Sequence, residues 1–124
     1  MIGKICKSLT PFYDMKAHKN NFKVRPVLII GNSDSTDYIA IPISRVSKKG
    51  HIHPVYDISV TMTQYPNLKL DYDSYIRTHK QTVINRANLS GVISDLKTEY
   101  EDLFLEILVK REEFNNQITE TAIS

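Results

Sequence analysis

Lys23-Val24-Arg25-Pro26-Val27-Leu28-Ile29-Ile30 is the stretch on which the fold of this chain turns. Val27 to Ile30 are β-branched or aliphatic without a break, the side chains that a buried strand takes. Pro26 has no backbone N–H, which predicts a place at the first residue of that strand or on an edge. Arg25 then stands at the mouth of a loop, on rigid sheet, with a permanent positive charge. Such a position suits a group that holds a phosphate. A solvated surface arginine is the plainer alternative, and this segment alone does not separate the two.

Working outward, Ile2–Lys7 reads as a short strand of alternating apolar and polar residues. Ser8 to Lys23 is polar and basic, with Thr10-Pro11-Phe12-Tyr13 at its start, and reads as a long mobile loop. The turn cluster Gly31–Ser35 ends the central strand. Tyr38–Ser44 is the next strand, with Pro42 marking an edge or a bulge. After the basic turn Lys48-Lys49-Gly50 come Tyr56–Val60, Tyr75–Arg77 and Gln81–Ile84, all extended. Many short strands with frequent turns predict an α+β fold, mainly β, in which a small antiparallel sheet curls toward a barrel.

The last third changes period. Tyr100, Leu103, Phe104, Ile107, Leu108 and Phe114 recur at helical spacing, with acidic residues on the other faces. Thr98-Glu99-Tyr100-Glu101 has the form of a capping box, and Lys110 and Arg111 suit the far end of the helix dipole. The expectation is a helix from about Thr98 to Phe114, packed on the sheet, and a frayed tail after about residue 116. The 124 residues read as a single domain with no repeat and no linker.

Composition narrows the classes of function. Hydrophobic residues make up 41% and charged residues 24%, which is globular rather than disordered. No apolar run approaches the roughly 20 residues of a membrane span, and the start lacks the apolar stretch of a secretory signal. Cys6 is the single cysteine, and no Cys/His grouping has zinc spacing, so neither a metal nor a cofactor is expected. Cys6 reads as a small buried hydrophobe, His51 and His53 as a surface loop, and the cytoplasm as the compartment. Up to Ser90 there are 13 Lys and Arg against 6 Asp and Glu; from Gly91 onward there are 3 against 8. The net charge of +2 thus hides a basic body with an acidic end, and a basic body suits a polyanionic ligand.

One constellation carries chemistry beyond Arg25. In Tyr75-Ile76-Arg77-Thr78-His79-Lys80, Arg77 and His79 are two apart and share a face if the segment is a strand. An imidazole that titrates near neutrality beside a fixed guanidinium fits phosphodiester cleavage, one moving protons and the other stabilising charge. Ser44-Arg45 adds a hydroxyl and a second cation. The bland reading of each is a solvated strand residue.

Taken together these pieces resemble the PemK/MazF family of toxin endoribonucleases from bacterial toxin–antitoxin pairs. The matching residues are Gly3-Lys4-Ile5, Leu9-Thr10-Pro11, Val24-Arg25-Pro26-Val27-Leu28-Ile29-Ile30, Tyr38–Ser44, Asp73-Ser74-Tyr75-Ile76-Arg77, Thr82-Val83-Ile84 and the closing helix, in that order from Met1 to Phe114. The resemblance implies a small SH3-like, PemK-type curled barrel with a C-terminal helix packed on the sheet. It also implies metal-independent cleavage of single-stranded mRNA by the ribose 2′-OH, leaving a 2′,3′-cyclic phosphate and a 5′-OH.

By the same resemblance the catalytic residues are Arg25, Ser44, Arg77 and His79. Arg25 and Arg77 would stabilise charge, Ser44 would bond the phosphate, and His79 would transfer a proton where some members have an aspartate, the roles of Arg25 and His79 being exchangeable. Lys16, His18, Lys19, Lys23, Arg45, Lys48, Lys49 and Lys80 are candidate backbone contacts. Tyr13, with Phe12 and Tyr38, is a candidate for base stacking. The implied partners are single-stranded RNA, a second copy in a homodimer, and a small antitoxin with an acidic segment. Two alternatives stay open: a non-catalytic RNA- or protein-binding module of the same barrel, and a structural protein that uses the sheet for assembly.

Overall fold

The structure, a computed structural model, describes residues 1–45 and 49–124, and of Lys49 the backbone alone. Among these residues seven strands form one antiparallel sheet: β1 Lys4–Asp14, β2 Lys19–Asn32, β3 Asp37–Ser44, β4 Asp57–Val60, β5 Ser74–Arg77, β6 Thr82–Asn85 and β7 Leu89–Asp95. The order across the sheet is β4-β5-β3-β2-β1-β7, with β6 also paired to β3. A single helical turn, α1 Leu96–Glu99, and a long helix, α2 Glu101–Ile123, complete the chain. The fold is therefore mainly antiparallel β, a curled half-barrel with a C-terminal helix, as the strand and helix periodicities predict. No helix among the described residues is long and apolar enough to cross a membrane.

The segment 8–23 is not a loop. β1 and β2 form a long hairpin in register from Ile5↔Leu28 to Asp14↔Lys19, with only Met15 to His18 outside the ladder. The Asp14 carboxylate accepts from the backbone N–H of Lys16 and Ala17, and His18 takes the left-handed φ of 51° that closes the turn. Polar side chains hid this strand because its outer half faces solvent on both sides. Pro26 is consequently interior to β2 rather than its first residue. Pairing of β2 with β3 begins at the next position, Val27↔Pro42, so the missing N–H falls where the hairpin leaves the sheet.

β3 changes partner along its length. Asp37 to Ala40 pair with β6, and Ile43 and Ser44 pair with β5. Pro42 lies at the changeover, where no donor is required on that edge. Register shifts at Ile29/Gly31 in β2 and at two places in the β1–β7 pairing add the twist that curls the sheet. Alternation then divides the strands' side chains between two cores. Ile5, Leu28, Ile41, Ile43, Ile58 and Ile76 face the helices, where Leu96, Leu103, Phe104 and Ile107 cover them. Cys6, Val27, Ile29, Tyr38 and Ala40 form a smaller cluster, packed by Ile84 and Leu89.

The C-terminal elements differ from expectation at both ends. Asp95, not Thr98, caps the first turn: its carboxylate accepts from the Thr98 N–H at 3.1 Å, and Tyr100 then breaks the helix. α2 continues through Ile123, past the point where fraying was expected. Gln117, Glu120 and Ala122 are good helix formers, and the Thr119 and Thr121 hydroxyls bond the carbonyls of Asn115 and Gln117. This stretch lacks an apolar stripe, so periodicity gave no sign of it. Strand β7 leaves no periodic sign in the sequence either, because its Ser and Gly residues and its bulges interrupt any alternation.

Gly3 ties the start of β1 to β2 and to α1. Its N–H donates to the Ile29 carbonyl at 2.8 Å, and its carbonyl accepts from the Lys97 N–H at 3.1 Å, at a φ of +87°. A Cβ there would collide with the Lys97 side chain. Gly3→Ala is therefore expected to lower stability by about 1–3 kcal/mol, read from the midpoint of urea unfolding. An unchanged midpoint would show that the junction yields freely.

Candidate functional site

Arg25 and Ser44 meet at the point where the hairpin departs from the sheet. Both line a hollow of about 600 Å³ and also a second one of about 350 Å³ beside it, so they form the ridge between the two. Lys7, Arg45 and Lys69 bring three more cations to the larger hollow, against the one carboxylate of Asp71. Its floor is apolar, from Pro26, Ile43, Leu70 and Ile93. The smaller hollow is lined by Thr10, Pro11, Thr82, Ile84 and Asn88 with the same ridge. Among the described residues the Arg25 side chain makes no ion pair or hydrogen bond and is exposed, so its guanidinium is available to an anion.

The outer wall is the segment Lys69–Ser74. Lys69 adopts a left-handed backbone (φ 57°), an uncommon state for a residue with a side chain. Leu70 is buried, the Ser74 hydroxyl donates to the Tyr72 carbonyl at 2.8 Å, and the Asp73 carboxylate accepts from the Met62 N–H at 2.8 Å. The Arg45 guanidinium lies over the Tyr72 ring, 4.6 Å from its centre. These contacts hold the wall in one shape. Lys7, Lys69, Asp71 and Tyr72 escaped the sequence reading, since only the register and this loop bring them beside Arg25.

Arg77 and His79 do not line either hollow. They surround Asp57, whose side chain is fully buried. Arg77 donates to Asp57 at 3.1 and 3.3 Å and to the His51 carbonyl at 3.1 Å. The His53 N–H donates to the same carboxylate at 2.8 Å, while His53 Nδ1 accepts from the N–H groups of Val55 and Tyr56. His53 therefore belongs to a built cluster rather than a surface loop. The sequence offered no sign of Asp57 as its organiser, because a lone aspartate opening a strand reads as a solvated residue.

His79 is packed among His53, Tyr56 and Phe114, with its Nδ1 3.5 Å from Asp57 Oδ1 but in no hydrogen bond. Burial holds its pKa below the ordinary 6.5; Asp57 pulls the other way, and Arg77, His53 and Lys80 add to the depression. The lowered pKa favours the uncharged imidazole at pH 7, which weakens any ion pair with Asp57 there. Because the unfolded chain takes up the proton at higher pH than the folded one, this group stabilises above about pH 6.5, and the contribution is lost as pH falls through the folded pKa. His79→Phe is expected to flatten the pH dependence of unfolding between pH 7 and 5, measured by denaturant titration at each pH. An identical slope in the variant would show that His79 does not couple to folding.

The remaining candidates scatter. Lys16 and His18 lie in the hairpin turn, and Lys19 and Lys23 on β2. Lys19, Lys23 and Arg25 share one face with Asn21 between the two lysines, and Lys23 sits over the Phe12 ring at 4.9 Å. Tyr13 is exposed on the hairpin, whereas Tyr38 is buried beneath Arg86, 4.4 Å from its ring centre, and offers no stacking face. Arg45 lines the larger hollow, and Lys80 is exposed after β5 with its N–H on the Arg77 carbonyl. Lys48 and the Lys49 side chain fall outside the described residues. Among the described residues no three His, Cys, Asp or Glu converge as metal ligands.

No protein-family model matches this chain, and no curated protein matches it.

Proposed function

We propose that the protein cleaves single-stranded RNA as an endoribonuclease toxin of the PemK/MazF type, with its active site on the Arg25–Ser44 ridge. The observation that carries this reading is the shared hollow, in which an unpaired arginine and a hydroxyl stand among three further cations. A scissile phosphate seated there has its non-bridging oxygens facing Arg25 and the Ser44 hydroxyl, the groups that stabilise charge growing on phosphorus. The basic face of β2, with next-but-one residues ~7 Å apart, continues from Arg25 and suits successive phosphates of one strand. The 2′-OH is the nucleophile, which makes RNA the substrate.

The catalytic roles expected for Arg77 and His79 sit less easily with this arrangement. Arg77 is two residues along β5 from Tyr75, which pairs with Ser44, so the two positions share a sheet face ~7 Å apart. Its guanidinium is engaged by Asp57, and in the reading proposed here Arg77 and His79 brace β5 while the hollow supplies its own proton acceptor. A cytoplasmic location, a homodimer and an antitoxin whose acidic segment fits the basic hollow complete the proposal. The same observation on Arg77 and His79 favours a second reading, a module that binds RNA or protein without cutting it.

Purified protein incubated with a single-stranded RNA and a chelator tests the two. Cleavage leaving cyclic phosphate and 5′-OH ends, absent on the all-deoxy strand, is the expected result. Retention of the RNA on the protein with no cut favours the binding module instead.

A further inference from the structure

We infer that Asp71 is the proton acceptor for the nucleophile in this hollow, an assignment that rests on the ribonuclease reading. Cleavage through the 2′-OH requires a group near the phosphate that can take a proton. His79 does not border the hollow, and its imidazole packs against Phe114 and Asp57. Asp71 is the one carboxylate among the residues lining the larger hollow, together with Arg25 and Ser44. It makes no hydrogen bond or ion pair among the described residues, so its oxygens are open to a substrate.

The neighbouring acid shows the contrast. Asp73, two residues on, holds the Met62 N–H and serves the loop. Asp71 itself is flanked by the buried Leu70 and by Tyr72, whose ring lies under Arg45 and whose carbonyl is held by Ser74. The backbone that carries Asp71 is thus held on both sides, which keeps its carboxylate at the wall of the hollow. An unpaired anion in a site otherwise lined by cations weakens phosphate binding by itself, so simple RNA retention gives no reason for it. Proton removal does.

In the reaction, the Asp71 carboxylate takes the 2′-OH proton and the O2′ electron pair forms the bond to phosphorus. The P–O5′ bond breaks, its electron pair goes to O5′, and O5′ takes a proton from water. The proton held by Asp71 returns to the hydroxide so formed, and the products are a cyclic phosphate and a 5′-OH.

The test compares wild type, Asp71→Asn and Asp71→Glu on the same RNA, together with binding of a 2′-O-methyl oligonucleotide that cannot be cut. Asp71→Asn is expected to cut about 100-fold more slowly or worse while binding the blocked strand at least as tightly, and Asp71→Glu to recover part of the rate. Equal cutting by Asp71→Asn and wild type overturns the assignment and leaves the ribonuclease reading standing. So does an equal loss in both variants, or a rate loss matched by weaker binding. Failure of the wild type to cut overturns the ribonuclease reading, and the Asp71 role with it.

Discussion

On the proposed ribonuclease reading, Arg25→Ala is expected to slow RNA cleavage by about 10²–10³-fold and to leave the protein as stable as before. The catalytic half of this expectation follows from the ridge: Arg25 borders both hollows, and among the described residues no other guanidinium stands beside Ser44 except that of Arg45, which lies over Tyr72. The stability half follows from exposure and the lack of partners among the described residues. Surface substitutions of that kind stay within about 0.5 kcal/mol. Single-turnover cleavage and a thermal melt on the same preparation measure the two halves. Cleavage by the variant at the wild-type rate would remove the ridge from the mechanism.

Asp57→Ala has the largest expected effect on folding. Its carboxylate is fully buried, pairs with Arg77 and receives the His53 N–H. Truncation leaves a guanidinium with only the His51 carbonyl and an amide donor with nothing. Removing one member of such a buried pair costs about 3–5 kcal/mol. Because the Arg77 side chain is 21% exposed, water relieves part of that, which places the loss toward the lower end. Denaturant unfolding at pH 7 reads it. A loss under about 1 kcal/mol would mean the cluster behaves as an ordinary surface pair.

Part of the fold around these two clusters is legible in the sequence. Val27 to Ile30 announced a central buried strand, and Leu28 and Ile29 are indeed wholly buried. Leu103, Phe104 and Ile107 announced a helix that packs on the sheet, and all three lie in the main core. Those segments are legible because burial imposes a period on them. Segment 8–23 and residues 115–123 are regular but solvated, so no burial period marks them, and hydrogen bonding alone decides their state. At the candidate site, Ser44 could be named from the end of a strand and Arg25 from its place before Pro26. Asp71 and Asp57 could not, for an aspartate looks the same in sequence whether it faces a hollow, caps an amide or meets water.

The chain's residues by themselves determine a mainly β fold with a closing helix, a basic body, and an arginine next to the proline of the central strand. These are local properties, set by side-chain shape, by proline's missing donor and by the 2.0 and 3.6 residue periods. Which charges face one another is a matter of register. Pairing Val27 with Pro42 and Ser44 with Tyr75 places Arg25 beside Ser44, while Asp57 opposite Arg77 draws that arginine into a separate ion pair. A shift of one residue would turn each of those side chains to the other face, and nothing short of the assembled sheet selects between the two arrangements.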